Sequence, residues 1–375
     1  MASRVGALRP RDIAARRLAN QHLIGRRLAS PLEVVRSLGA VQSQDYAGGK
    51  WGIGQRTLAS TDADVERALT AGTILRTHVL RPTWHFVAAG DIRWMLELTG
   101  PRVRARMAPY DRHLELDEKF FSRSAAAITK ALERNKELTR GELRVVLDRA
   151  RIGATGTQRL AHLMMRAELD GLVCSGVRRG KQSTYALLEE RLPAAPALQR
   201  DEALAELARR YFATRGPATA QDFAWWSGLS AADAKRGIEA VRSSFEHRVV
   251  DGKTYWFTGS APAARLVSNT AHLLPNYDEV FIGLKDRSAM SELVKTPVVG
   301  VWGSTFVANV VAVEGQLAGG WTRSVTARGV VLQVQLAVEL KPSQLRAIEN
   351  QAQRYGEFLQ LPVKLAVRDT ARLHH

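Results

Sequence analysis

Apolar positions along this chain recur first at helical spacing and then at strand spacing, and the order repeats. From Arg11 to Ile24 the apolar residues, Ile13 and Leu18 among them, share one helical face. Ser30-Pro31 supplies a cap and a first-turn proline to a second helix, Leu32 to Val41. Thr61-Asp62 opens a third, running through Leu69 and closed by Gly72. Ile74 to Leu80 and Thr83 to Val87 alternate as strands and turn at Arg81-Pro82.

Short helices followed by a hairpin then come again. In the second unit one helix opens at Leu138 to Leu143, another spans Thr157 to Leu169, and Gly171 ends it. Strands Leu172–Ser175 and Ser183–Leu187 flank the basic tip Gly176-Val177-Arg178-Arg179-Gly180-Lys181. That order matches a winged helix, with Thr157–Leu169 as recognition helix carrying Arg159 and Arg166. The third unit has a long helix from Asp201, then Ala220–Ser227 and a helix capped at Ser230 that reaches Val241. Its hairpin turns at Asp251-Gly252-Lys253, and its pair Trp225-Trp226 reads as core. Leu192 to Ala197 reads as a linker, and Pro101 to Met107 spreads its arginines around a helix. From about Ala261 the pattern turns Val-rich: strands at Val298–Val301, Thr305–Val313, Leu317–Trp321 and Val330–Val338, a helix from Pro342 to Leu359, and a strand from Leu361 to Ala366. The expected fold is α+β: three tandem winged-helix domains in a concave arrangement with a C-terminal α+β element. The segments are 1–95, 96–191 with a helical connector, 192–260 and 261–375.

Charge sharpens this picture. The 375 residues hold 54 Lys+Arg against 37 Asp+Glu, a net +17, with a pI near 10.5. Such an excess suits a polyanion, since each neutralised phosphate releases condensed counterion. Arginine dominates the positive charge and suits bidentate phosphate contacts. A hydrophobic content of 45% with 24% charged residues is ordinary for a soluble globular protein. One cysteine, Cys174, excludes a disulfide framework and a thiolate metal site. No signal peptide or membrane span is read, so the expected location is the cytoplasm, in association with the nucleoid.

The familiar catalytic signatures are missing. There is no His-Glu-x-x-His, no phosphate loop, no dinucleotide fingerprint and no Gly-x-Ser-x-Gly, so neither metal nor cofactor is expected. What stands out is Gln42-Ser43-Gln44, at the end of an apolar helical pattern and just before a Gly-rich turn. Glutamines are costly to bury unless hydrogen-bonded, so a pair on this boundary can aim two neutral carboxamides into a pocket. A carboxamide is no strong base. It suits a reaction whose leaving group is already activated, such as loss of an N-alkylated, cationic purine through an oxocarbenium-like state. Asp45, next to the pair, reads as a turn or cap residue.

The run Leu38–Trp51, followed by Arg76–Phe86 and Leu273–Ser288, resembles the AlkZ-like family of bacterial DNA glycosylases. The resemblance spans about Arg11 to Leu365 and implies a fold of tandem winged helices. It implies a monofunctional glycosylase that excises N7-alkylated guanines, unhooks interstrand cross-links and, in antibiotic producers, serves self-resistance. The family's Gln-apolar-Gln motif falls on Gln42 and Gln44 as catalytic residues, with Ser43 where an apolar residue is the rule. The partner is double-stranded DNA containing alkylated purines, and a lesion enzyme works as a monomer. On the hairpin, Arg76, His78 and Arg81 approach the lesion or enter a groove, with Trp84 or His85 packed behind and Phe86 in the core. Tyr46 and Trp51 either brace the glutamine loop or line the lesion pocket. Lys50 reads as a solvated lysine near phosphate, and Arg159, Arg166, Arg178, Arg179 and Lys181 as DNA contacts of the second unit. The competing class is a non-enzymatic winged-helix regulator, which would bind DNA as a dimer and have no use for the two carboxamides.

Overall fold

Local capping signals start the helices of the N-terminal part. The computed structural model describes residues 8–153, 156–193, 198–258, 268–294 and 309–369. Helix α1 is Pro10–Asn20 and α2 is Pro31–Leu38, where Ser30 accepts the Glu33 N–H and Pro31 takes the first turn. Strand β1 (Ala40–Gln42) follows, then α3 (Tyr46–Gly54), α4 (Asp62–Thr70), β2 (Ile74–Val79) and β3 (Arg81–Ala88). The expected second helix stops short of Val41 because Gly39 takes φ +79°, outside the helical region. Gln42 therefore sits on a strand, not at a helix end. The hairpin turns at Leu80, φ +65°, rather than at Arg81-Pro82, so Arg81 already belongs to β3. The three strands form an antiparallel sheet ordered β1-β3-β2.

The stretch read as a Gly-rich turn is helix α3. Its glycines serve close packing: a Cβ on Gly49 would lie 3.0 Å from Phe86 and 3.1 Å from the Gln42 carbonyl, and one on Gly54 would lie 2.5 Å from Phe358. Tertiary contact here outweighs a cost of about 1 kcal/mol for each helical glycine.

Helix α5 (Ile92–His113) leads to α6 (Glu118–Leu132), β4 (Leu138–Thr139), α7 (Arg140–Arg149), α8 (Thr157–Leu169), β5 (Val173–Ser175), β6 (Thr184–Leu187) and α9 (Leu188–Arg191). The sheet here is ordered β4-β6-β5. Then come α10 (Arg200–Arg215), α11 (Ala220–Ser227), α12 (Ala231–Val241) and a two-stranded hairpin, β7 (Glu246–Val250) with β8 (Lys253–Phe257). The C-terminal part holds β9 (Ala271–Leu274), α13 (Glu279–Ile282), β10 (Val310–Val313), β11 (Gln316–Thr326), β12 (Gly329–Leu336), α14 (Pro342–Leu359) and β13 (Val363–Asp369). Its five-stranded sheet runs β13-β12-β11-β10-β9, antiparallel except for the parallel β12–β13 pair. The strand expected at 298–301, residues 305–308 of the next and 194–197 of the linker lie outside the described residues. Among the described residues no helix is long and apolar enough to cross a membrane.

The fold is mixed α+β, and its cores cross the expected segment boundaries. Val34, Leu38, Trp51 and Phe86 share one core with Leu273, Val311, Trp321, Ile348 and Phe358 of the C-terminal part. Leu75, Val87 and Met95 share another with Leu204, Tyr211, Phe223 and Trp226. Segment 96–191 keeps a core of its own around Ile128, Leu143, Leu163 and Val173.

Candidate active site

Gln42 is the last residue of β1, paired across the strands with His85 in the register Ala40–Val87, Val41–Phe86, Gln42–His85. Directly opposed residues share a sheet face, so these two side chains lie on the same side. β1 is an edge strand, and an edge leaves donors and acceptors to be satisfied by other means. A buried ion pair satisfies them. Gln42 N–H donates to Glu279 Oε1 at 2.8 Å, while Arg215 donates to the carbonyls of Leu38 and Ala40 at 2.8 and 3.3 Å. Arg215 and Glu279 meet at 2.5 Å with both side chains fully buried, and Trp226 Nε1 donates to the same carboxylate at 2.9 Å.

The Gln42 side chain is equally constrained. The residue is 3% exposed, and its Oε1 accepts from Arg81 Nη2 at 2.7 Å. A guanidinium offers donors only, so the amide is oriented with oxygen toward Arg81 and Nε2 away from it. Burial lowers the Arg81 pKa, with Glu279 opposing and Arg215 adding to the effect. It nevertheless remains a cation at neutral pH. His85 is buried, and that burial, with Arg81 nearby, drives its pKa well below the usual histidine range. Its Nδ1 donates to the Thr83 carbonyl at 2.9 Å, which leaves Nε2 as a buried acceptor without a partner among the described residues.

Gln44 differs in every respect. It is exposed, and its Oε1 takes only a long contact, 3.4 Å, from the Trp84 N–H. The bend between the glutamines is held by Arg76, which donates to the Ser43 carbonyl at 2.9 and 3.3 Å, and by Ser43 N–H to Trp84 O at 2.8 Å. The Arg76 guanidinium lies over the Trp84 ring at 4.4 Å, and the His78 and Trp84 ring centroids are 4.5 Å apart. Asp45 caps α3 through the Gly48 N–H at 3.0 Å and pairs with Arg323 at 2.7 Å. Beside this bend Tyr46, Glu66, Arg76, Trp84, Arg178 and Tyr185 line a cavity of about 30 Å³, room for water, which neither glutamine lines.

Most of the other expected site residues are packed or paired within the protein. Trp51 is fully buried, donates to the Leu273 carbonyl at 2.8 Å and packs on Tyr355 and Phe358, so it is core. Lys50 is not solvated: its ammonium pairs with Asp62 and Glu66, both at 2.8 Å. His78 is buried, with Nδ1 bonded to Glu168 of α8, and does not project into a groove. Arg81 points inward to Gln42. The expected recognition helix α8 is itself packed, with Leu163 and Met164 in one core, Met165 and Leu169 against Val103, and Glu168 on β2. Arg166 is held by Glu118 and Asp170 at 2.8 and 2.7 Å and lies over Phe121; Arg159 lies over Phe120 with Glu115 at 3.7 Å. On the hairpin tip Arg178 covers the Tyr46 ring at 4.3 Å and Arg179 pairs with Glu142, while Lys181 stands exposed. Tyr46 donates to Glu66 at 2.9 Å.

Glu279 and Arg215 were not singled out from the sequence. A signal existed: Glu279 opens the otherwise apolar run Glu279-Val280-Phe281-Ile282, and a carboxylate there is buried and requires a partner.

The site is thus an edge strand that holds one buried carboxamide beside a second, exposed one, in a strongly basic chain. Residues 35–358 match the family described as DNA glycosylase AlkZ-like, and the chain belongs to that family. It is a DNA glycosylase, and DNA is its substrate. A relative from Streptomyces sahachiroi, an interstrand DNA cross-link repair glycosylase, is 24% identical over 334 residues, covering 83% of this chain and 87% of that one. The solved structure of Streptomyces sahachiroi DNA glycosylase AlkZ has the same fold, with a TM-score of 0.77 at 20% identity over 96% of this chain and 99% of that one.

Proposed function

We propose that this enzyme hydrolyses the N-glycosidic bond of cationic N7-alkylated guanines in double-stranded DNA, including bulky and cross-linked adducts, with Gln42 and Gln44 as its catalytic pair. The observation that carries the reading is Gln42: a neutral side chain 3% exposed, held at backbone and amide by Glu279 and Arg81, beside an exposed Gln44. Preorganised dipoles of this kind are worth about 2.7–4 kcal/mol each in better-studied sites. That suffices where the leaving base already carries a positive charge. The name of the Streptomyces relative supports cross-linked substrates. The helix–hairpin units of 1–95, 96–191 and 192–260 are read as three winged helices that grip the duplex as a monomer, followed by the α+β element of 261–375.

The test is base release from duplexes carrying one N7-methylguanine or one bulky N7-guanine adduct, with abasic-site cleavage as readout. Excision by the wild type, lost in Gln42→Ala/Gln44→Ala while duplex binding persists, is the expected result. Preference for the bulky adduct would extend the reading to self-resistance against a DNA-alkylating natural product. Release of neither base, or equal release by the double variant, would overturn the assignment.

A further inference from the structure

The two glutamines differ in how firmly the amide oxygen is taken. Gln42 Oε1 is taken by Arg81 at 2.7 Å, and Arg81 has no second orientation to offer because it has no acceptor. The backbone cannot turn the residue, since its N–H is tied to Glu279 at 2.8 Å and its strand is paired to β3. The Nε2 amide makes no hydrogen bond among the described residues, and it is absent from the fully enclosed unpartnered atoms that include its cross-strand neighbour, His85 Nε2. Gln44 is not fixed in this way: its oxygen takes a 3.4 Å contact from the Trp84 N–H, and with the residue exposed that oxygen stays available as an acceptor.

We propose that the pair is divided by Arg81 into a donor and an acceptor: Gln42 donates Nε2–H to an acceptor atom of the departing purine, N3 or O6, and Gln44 Oε1 holds the attacking water. This rests on the reading that the pair acts at the glycosidic bond. In the step, the C1′–N9 bond breaks and its electron pair passes into the cationic purine, which leaves as neutral N7-alkylguanine. Water oxygen bonds to C1′, and the proton it loses goes to solvent. Positive charge thus moves from base to sugar. A donor polarised by a guanidinium on the base side, with an amide oxygen on the sugar side, aligns the local field with that displacement. Arg81 is a positioning residue in this scheme, since it acts through Gln42.

The test is single-turnover release of N7-methylguanine from a duplex by the full-length chain. Gln42→Glu keeps the contact to Arg81 and loses the donor, so its rate falls 100-fold or more; Gln44→Glu keeps an acceptor and falls less than tenfold. Duplex Kd stays within threefold for both. Arg81→Met frees the Gln42 amide to rotate and lowers the rate tenfold or more in the wild-type background, with no further loss in a Gln42→Ala background. A merely structural role for Arg81 would persist in that background. Equal penalties for the two glutamate variants, or a fully active Arg81→Met, would overturn the division of roles. If Gln42→Glu does not fold, the Arg81→Met pair decides alone. An inactive wild type, or a fully active Gln42→Ala/Gln44→Ala, would instead sink the assignment of the pair itself.

Discussion

The outer edge of the first sheet and the helix–hairpin of the second unit are both rich in arginine, and they use it in opposite ways. At the edge of β1, Arg215 is wholly buried, satisfies two carbonyls and pairs with a carboxylate that in turn holds Gln42. In the second unit Arg166 keeps 20% of its side chain in solvent and pairs with Glu118, which is 78% exposed. In the first region a charge replaces a missing strand. In the second it covers aromatic rings and joins neighbouring helices, with Lys181 left over at the tip. A basic composition therefore identifies a partner for the whole molecule without saying which cations meet it.

The sharpest way to break this comparison is to remove one member from each region. Glu279→Ala leaves Arg215 buried without its counter-ion and is expected to cost about 3–5 kcal/mol. Arg166→Ala, with a solvent-exposed partner, is expected to cost no more than about 1 kcal/mol. Urea unfolding followed by circular dichroism measures both, and comparable losses would show that the two regions are energetically alike.

Acid sharpens the contrast next. His85 beside Gln42 and His272 on β9 are both buried; burial lowers the His272 pKa to about 3 and holds that of His85 well below 6.5. The unfolded chain takes up a proton near pH 6.5 at each site and the folded chain does not, so stability falls as pH drops below 6.5 and is fully present above it. At pH 5.5 His272 alone removes about 1.4 kcal/mol, and His85 adds to the fall. Melting curves from pH 7.5 to 5.5 should show this fall, and His272→Asn should reduce it by about the His272 share. An unchanged slope would show that His272 titrates normally.

The smallest effect belongs to the hairpin tip. Lys181→Ala should leave the melting temperature unchanged and reduce the slope of log K against log salt by roughly 0.9 if the lysine meets one phosphate. Arg166→Ala should leave that slope unchanged, because its guanidinium is already paired. A lower slope for Arg166→Ala would return α8 to the DNA surface.

Much of the secondary structure was legible because its signals are local. Ser30-Pro31 starts α2, Thr157–Leu169 is a helix as read, and Pro342–Leu359 matches its expected bounds. The failures are where distant residues intervene. Four glycines within Tyr46–Gly54 spell a turn by propensity, yet they form a helix because Phe86, Pro275 and Phe358 press against it. Polar stretches such as Thr322-Arg323-Ser324 hid the length of β11, which is exposed along that half.

For the site, the sequence by itself determined that Gln42 and Gln44 lie together, that no common catalytic motif competes with them, and that the chain carries the charge of a DNA-binding protein. Spacing of one residue is enough for that. Which amide end Gln42 presents depended on Arg81, 39 positions away, and the setting of its backbone on Glu279, 237 positions away. Burial decided the rest: it placed Trp51 in the core, paired Lys50 with Asp62 and Glu66, and turned Arg215 into a substitute for a strand. A sequence lists ionisable and amide groups, but only packing sets which of them lose water, and a group that loses water must find a partner or change its charge.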